Sequence, residues 1–160
     1  MVTLRQYEQE QALALSLIGQ FWYAHNHIQP TSEENLENLK EWTRLGHVLY
    51  FIVYQQEVVG FVHLGSRGCQ MDWLEDIFVV PAYQNRGIGT QAIALVEQLV
   101  QAYSTSLYIE ASSRNVAAIR LYHKLGYNCL NTITVRKDFD DRYCEVRTDR
   151  IGDFEFVVKE

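Results

Sequence analysis

Several absences narrow this chain before any residue is singled out. Cysteine is scarce and unpatterned: Cys69, Cys129 and Cys144 are odd in number, far apart and without a C-x-x-C pair. A disulfide-built scaffold and a cysteine zinc site are therefore not expected, and reduced thiols in the cytoplasm are. Basic residues are in deficit, with a formal net charge of −6, so no nucleic-acid-binding face is expected either. Long hydrophobic runs are missing. The stretch Ala12 to Ile18 is too short to span a bilayer and follows Glu8 and Glu10, where a signal peptide would be basic, so no membrane partner is expected. Low-complexity tracts, repeats and linkers are absent, and 160 residues suit one domain over 1–160.

What is present centres on Met71 to Tyr103. Asp72 to Val80 is rich in aromatic and β-branched residues and reads as a strand ended by Pro81, which has no ladder donor. From Thr90 the apolar residues Ile93, Val96, Leu99, Val100 and Tyr103 recur at helical spacing. Between them, Gln84-Asn85-Arg86-Gly87-Ile88-Gly89-Thr90 is a tight loop. Its glycines let the backbone turn sharply and approach a ligand, and amides feeding a helix N-terminus suit a phosphate. A phosphate-bearing cofactor is therefore expected. The loop lacks the lysine of a Walker A motif. A dinucleotide fingerprint survives on the loop alone, with Ala92 in the third glycine position and Glu110 near the spacing of its acid.

Around this centre, Val2 to Leu4 reads as a first strand and Glu8 to about Tyr23 as a helix with acids in its first turn. Thr31 and Glu34 stand in capping-box spacing at the start of a second helix, whose buried side is Leu36, Leu39 and Trp42. His47 to Tyr54 and Val58 to Leu64 form a hairpin across Gln55-Gln56-Glu57. Leu107 to Ala111 is expected as a strand, Asn115 to Leu125 as a helix stopped by Gly126, and Tyr127 to Val135 and Phe154 to Lys159 as strands. Tyr143 to Thr148 is a further candidate strand. The order implies an α/β (α+β) fold, a mixed and mostly antiparallel central sheet of six to seven strands with helices on both faces.

Two motifs carry a resemblance. Gln84-x-x-Gly87-x-Gly89 after a strand ending Val79-Val80-Pro81 resembles motif A of the GNAT N-acetyltransferase superfamily. Asn115-Val-Ala-Ala118-Ile-Arg-Leu121-Tyr122-His-Lys-Leu-Gly126-Tyr127 is similar to that family's N-x-x-A-x-x-L-Y-x-K-x-G-F/Y helix at every position. The resemblance implies the same strand and helix order and an acetyl-coenzyme A-dependent N-acetyltransferase. It implies acyl-donor contacts from Ile77, Phe78 and Val79, whose backbone pairs with pantetheine as an added strand would. Further contacts come from the loop residues Gln84, Asn85, Arg86, Gly87, Ile88, Gly89 and Thr90, and from Asn115 and Tyr122. Arg86 could bridge to the pyrophosphate. Arg114, Arg120 and Lys124 could reach the adenosine phosphate, though solvated surface charge is the better account of them.

Acetyl transfer sets its own requirements. An alkylamine of pKa ~10.4 is almost wholly protonated at neutral pH, and exposing its lone pair costs roughly 4–5 kcal/mol. Glu75 and Asp76 are the candidate bases. Strand alternation lets only one of them line a given pocket. In the GNAT pattern Leu74 to Val79 looks most like the polyamine and aminoglycoside type, whose glutamate at the Glu75 position faces the amine. Asp76 is expected to orient or support, and Glu110 is a third choice acting through water. Glu75 as a plain solvated acid or charge partner is the alternative. Tyr122 is the candidate acid, placed near the sulfur by the motif. A phenol transferring fully to a thiolate goes uphill by about 2 kcal/mol, so hydrogen-bond donation is its main expected role. Asn115 also reads as a helix cap. Trp22, Glu33, Asp72 and Trp73 are candidates for an acceptor pocket. The histidines His25, His27, His47, His63 and His123 show no ligand spacing, so no metal is expected.

The acidic chain favours a cationic acceptor, a small-molecule amine of polyamine or aminoglycoside type, and is compatible with a homodimer. Acetylation of a protein lysine or N-terminus is the second enzyme reading. A non-catalytic acyl-coenzyme A-binding module is the reading from another class.

Overall fold

The hairpin read from the sequence forms the middle of the larger sheet. In the computed structural model, which describes residues 1–160, strands β2 (His47–Tyr54) and β3 (Glu57–Gly65) pair antiparallel. Gln55 and Gln56 turn the chain with φ of 52° and 70°, the backbone that a two-residue hairpin requires. Strand β1 (Val2–Gln6) pairs with β2, and β4 (Trp73–Val79) with β3, both antiparallel. The last strand, β5 (Tyr108–Ile109), is two residues long and lies parallel to β4. The order is β1-β2-β3-β4-β5.

Helices cover this sheet. Helix α1 (Gln11–Asn26) starts later than its acids suggest. Glu10 stands at the N-cap position, accepts from the amides of Glu8 and Gln9 at 3.2 Å each, and pairs with Arg5. The acids thus lie before the first turn and hold the entering backbone. Helix α2 (Ser32–Trp42) opens on the expected capping box, with Thr31 N donating to Glu34 at 2.7 Å and Glu34 N to Thr31 Oγ1 at 3.2 Å. Ala14, Leu17 and Ile18 of α1 and Leu39 and Trp42 of α2 share one core with Leu49, Phe51, Phe61 and Phe78 of the sheet. Alternation along the strands sends Ile52, Val62 and other buried residues to the opposite side. There α3 (Ile88–Val100) lies against β1 and β4 through its buried face of Ala92, Ile93, Val96 and Val100. No helix is long and apolar enough to cross a membrane.

The chain divides into two compact units, Met1–Glu110 and Ala111–Glu160. In the second, α4 (Val116–Lys124) is followed by a two-stranded antiparallel sheet of β6 (Glu145–Ile151) and β7 (Phe154–Lys159). The strands therefore number five plus two. The strand expected over Tyr127 to Val135 does not form. Its β-formers Leu130, Ile133 and Val135 are exposed, and propensity without a partner strand or a buried face does not hold an extended segment. The extra strand expected over Tyr143 to Thr148 does form, shifted to Glu145–Ile151.

Candidate active site

The glycine loop ends where α3 begins. A 3-10 turn over Pro81–Tyr83 follows β4, and Gln84 Nε2 donates back to the Val79 carbonyl at 2.8 Å, closing the loop on the strand end. Asn85 and Gly87 both have positive φ, 59° and 74°, and Gly87 is the N-cap of α3. That backbone gathers amides at a helix end where partial positive charge concentrates. No acidic side chain opposes an anion in the first turn. Space above Gly89 is open, with nothing within 4 Å of where a Cβ would stand. Ile88 is buried and anchors the helix start, while Thr90 is exposed. The Arg86 guanidinium lies 5.2 Å from the Tyr83 ring, and Tyr83 in turn donates to Glu57.

Strand β4 supplies the next part of the site. Strand β5 pairs with it only at Trp73 and Leu74, so from Glu75 to Val79 its second edge has no neighbouring strand in the sheet. Ile77 and Val79 are half-buried on this stretch and Phe78 is buried in the core. An open strand edge beside a nest of amides fits an extended amide-bearing chain that ends in phosphates. The mostly antiparallel order sets aside the dinucleotide-fold reading of the loop.

The register of β4 departs from simple alternation. His63 pairs with Asp76 and Leu64 with Leu74, leaving Glu75 as an extra residue in a bulge. The expectation that Glu75 and Asp76 point to opposite faces is therefore corrected. Both carboxylates gather around one pair of imidazoles. Asp76 Oδ2 lies 2.8 Å from His63 Nδ1, and His63 Nε2 lies 2.9 Å from His47 Nδ1. Glu75 reaches the same group across Gly65. A Cβ at Gly65 would stand 3.0 Å from Glu75 Oε1 and from His47 Cε1, and 2.8 Å from Glu75 Cγ. The bare glycine lets the carboxylate and the ring converge. We expect Gly65→Ala to cost about 1–3 kcal/mol through overpacking, read as a lowered denaturant midpoint; an unchanged midpoint would mean that Glu75 swings away freely.

Arg67 completes this cluster and was not singled out in the sequence. Its guanidinium donates to both Glu75 oxygens, at 3.1 and 2.7 Å, and to Glu110 at 2.6 Å. It lies over the Trp73 ring, with Cζ 3.7 Å from the ring centre, and Trp73 stacks on Tyr108 at 4.9 Å. Arg67 holds the Glu75 carboxyl below its ordinary range against the opposing effect of burial, and the arginine is itself held charged. With both oxygens engaged, Glu75 is a weaker base than a free carboxylate. Burial, and then repulsion between the two imidazoles whenever both would carry a proton, pushes the His47 imidazole down from its ordinary value. His63 is buried, 3% exposed, and stacks on Trp42 at 4.9 Å. The two histidines stand on opposed strands of one hairpin, a placement visible in sequence only once its register is known.

The other candidates are distributed. Asp72 accepts from Ser104 Oγ at 3.1 Å, and its carbonyl accepts from Tyr108 N at 2.8 Å, so it ties β4 to the start of β5. Trp22 packs against the α1 and α2 core, with its indole Nε1 buried and unbonded. Glu33 is exposed in the first turn of α2. In the second unit Asn115 caps α4, its Oδ1 accepting from Ala118 N at 3.1 Å. Tyr122, half-buried on α4, meets Tyr127 edge-to-face at 6.2 Å.

Comparison with known proteins finds acetyltransferases. Spermine/spermidine N(1)-acetyltransferase of Bacillus subtilis (strain 168) is 28% identical over 86 residues, 48% of this chain and 56% of that protein. The ribosomal protein bS18-alanine N-acetyltransferase of Escherichia coli (strain K12) is 34% identical over 67 residues, 41% of this chain and 43% of that protein. The chain thus spans about half the length of the curated relatives it matches. Among solved structures, the aminoglycoside N-acetyltransferase AAC(6')-Iy in complex with CoA superposes with a TM-score of 0.66 at 18% identity, over 88% of this chain and 96% of that one. A probable acetyltransferase gives 0.70 at 16% identity, over 86% and 99%. These structures share the fold. The sequence profile of the Acetyltransferase (GNAT) family matches residues 16–127, which takes in the whole of β4, the glycine loop and α4. The chain belongs to the GNAT acetyltransferase family.

Proposed function

We propose that this protein transfers an acetyl group from acetyl-coenzyme A to a cationic primary amine by direct attack in a ternary complex. The observation that carries the choice of acceptor is the seat of Arg67. The chain's own cation is held between Glu75 and Glu110 and over the face of Trp73. Two carboxylates and an aromatic face are what an ammonium group needs on leaving water. An acceptor amine that takes the place of the guanidinium meets the same three groups. The B. subtilis relative is described as acting on spermine and spermidine, and AAC(6')-Iy was solved with a CoA-S-monomethyl-acetylneamine bisubstrate analogue. Both descriptions support a small polycationic acceptor.

The donor is assigned to the amides from Gln84 to Thr90 and to the free edge of β4 at Ile77 to Val79. Transfer forms a C–N bond and breaks the thioester C–S bond, while the ammonium nitrogen sheds two protons, one released before attack and one passing to the departing sulfur. Tyr122 is assigned as hydrogen-bond donor to the departing sulfur, and Glu75 and Glu110 as the anions that draw in the ammonium.

The test is the purified protein against a panel of polyamines, aminoglycosides and peptides, with thiol release as the readout. Fastest release with a polycation is expected. The E. coli relative, described as acting on the alanine of a ribosomal protein, favours a second reading, an N-terminal α-amine. Fastest release with an Ala-initiated peptide would establish that one instead. Binding of acetyl-coenzyme A with no release on any amine would reduce the protein to an acyl-coenzyme A-binding module. On the best amine, Glu75→Gln is expected to raise KM by about tenfold or more, with kcat little changed at any pH between about 6 and 9.5. A loss confined to kcat and restored at high pH would make Glu75 the base.

A further inference from the structure

We infer that His47, His63 and Asp76 form a proton relay, with His47 as its entry, that takes up the proton shed by the acceptor amine; this rests on the acetyl-transfer reading above. The direction of the relay follows from which atoms can donate. A carboxylate only accepts, so the hydrogen in the 2.8 Å contact sits on His63 Nδ1. A relay ready to take up a proton holds His63 neutral; its Nε2 is then an acceptor, and the 2.9 Å contact places a hydrogen on His47 Nδ1. His47 Nε2 is left with its lone pair, a base at the outer end of a chain anchored in the core.

A buried histidine with a carboxylate partner is often a satisfied structural group, and His63 alone would read that way. The second ring changes the reading. His47 is only half-buried and converges with Glu75 on Gly65, at the edge of the cluster that holds Arg67. The ion-paired Glu75 is the weaker candidate for the proton, and the neutral imidazole beside it is the stronger.

The step balances as follows. His47 Nε2 takes a proton from the ammonium, and the electron pair of that N–H bond becomes the lone pair that attacks the thioester. His47 passes its Nδ1 hydrogen to His63 Nε2. The positive charge then rests on His63 against Asp76, away from the incoming electrophile. After product leaves, the same path in reverse returns the proton to solvent through His47.

The groups facing His47 are His63 from β3, Glu75 from β4, and Glu41 and Arg44 from the end of α2 and the turn after it. Glu41 and Arg44 pair with each other at 2.6 Å and largely cancel. Trp42 covers His63 from α2. Burial and His63 depress His47, whereas Glu41 and Glu75 raise it. The depressed value keeps His47 neutral, and able to accept, at neutral pH.

Two measurements test the relay, and the first needs no substrate. Nitrogen-15 NMR of the free wild-type protein is expected to show both His47 and His63 as Nδ1–H tautomers. Finding the hydrogen of His47 on Nε2 overturns the relay, whatever the enzyme does to amines. The second is the pH profile on the best amine. The parent should lose turnover on the acid side as His47 protonates. His47→Gln should lower kcat by about 10²-fold and abolish that limb, with KM near the parent value. Asp76→Asn keeps an oxygen for the His63 N–H but not the charge, and should shift the limb to lower pH. A folded His47→Gln protein with parental kcat and an unmoved limb overturns the proposal. If no amine releases thiol from the parent, the acetyl-transfer reading fails, and the tautomers still decide the relay.

Discussion

Gly87→Glu should abolish the rise in melting temperature that saturating acetyl-coenzyme A gives the parent protein. The parent is expected to gain about 2.7 kcal/mol at a ligand concentration of about 100 Kd, a shift of several degrees. Gly87 sits at φ 74° as the N-cap of α3. A side chain there is strained by about 1–2 kcal/mol, and a carboxylate adds negative charge at the end of the helix that attracts an anion. Gly87→Ala separates the two effects. It shares the strain, meets only Gln91 Nε2 at 4.0 Å, and should lose apo stability while keeping the ligand shift. A parent protein that acetyl-coenzyme A leaves unshifted removes the donor assignment. A Glu variant that still shifts moves the phosphates away from this loop.

The second large effect is on chemistry. Tyr122→Phe should lower turnover by about 10²-fold or more, with little change in affinity for the acyl donor. A hydrogen bond stabilises the negative charge that develops on the departing sulfur, and phenylalanine keeps the bulk of the ring while removing the Tyr122 hydroxyl. The ring is half-buried and edge-on to Tyr127, and a melting curve of the variant checks that the fold is kept. Single-turnover and steady-state rates should be measured together. An unchanged single-turnover rate returns Tyr122 to a packing role, and an unchanged steady-state rate alone points to slow product release.

Much of the frame was legible because short-range chemistry wrote it. The Thr31–Glu34 box, the Gln55-Gln56 turn and the glycines ahead of α3 each depend on neighbours within a few residues. The resemblance on Gln84 to Gly89 and Asn115 to Tyr127 led to the family that the profile match establishes. The site's polar centre was less legible, because it depends on pairing between distant strands. Arg67 meets Glu110 at a sequence separation of 43, and His47 meets His63 at one of 16. Neither distance has a periodic signature. The separation of Glu75 from Asp76 failed for a physical reason: alternation holds only while the ladder is unbroken, and the bulge breaks it there. Tyr127 to Val135 failed in the other direction, where propensity was present but no partner strand was.

That bulge has a consequence for how the proposed acceptor pocket can change over time. Glu75 is the residue that β3 does not pair with, so its side chain is not part of the interlocking that fixes Leu74 and Phe78 in the interior. Substitution at such a position alters what the pocket offers a ligand while leaving the hydrogen-bonded ladder on either side as it was. The fold thereby keeps one position on this strand whose exchange spares the ladder, although it gives up the Arg67 pair and must fit the narrow space over Gly65. Drift toward a new amine can begin at that position without first disturbing the core.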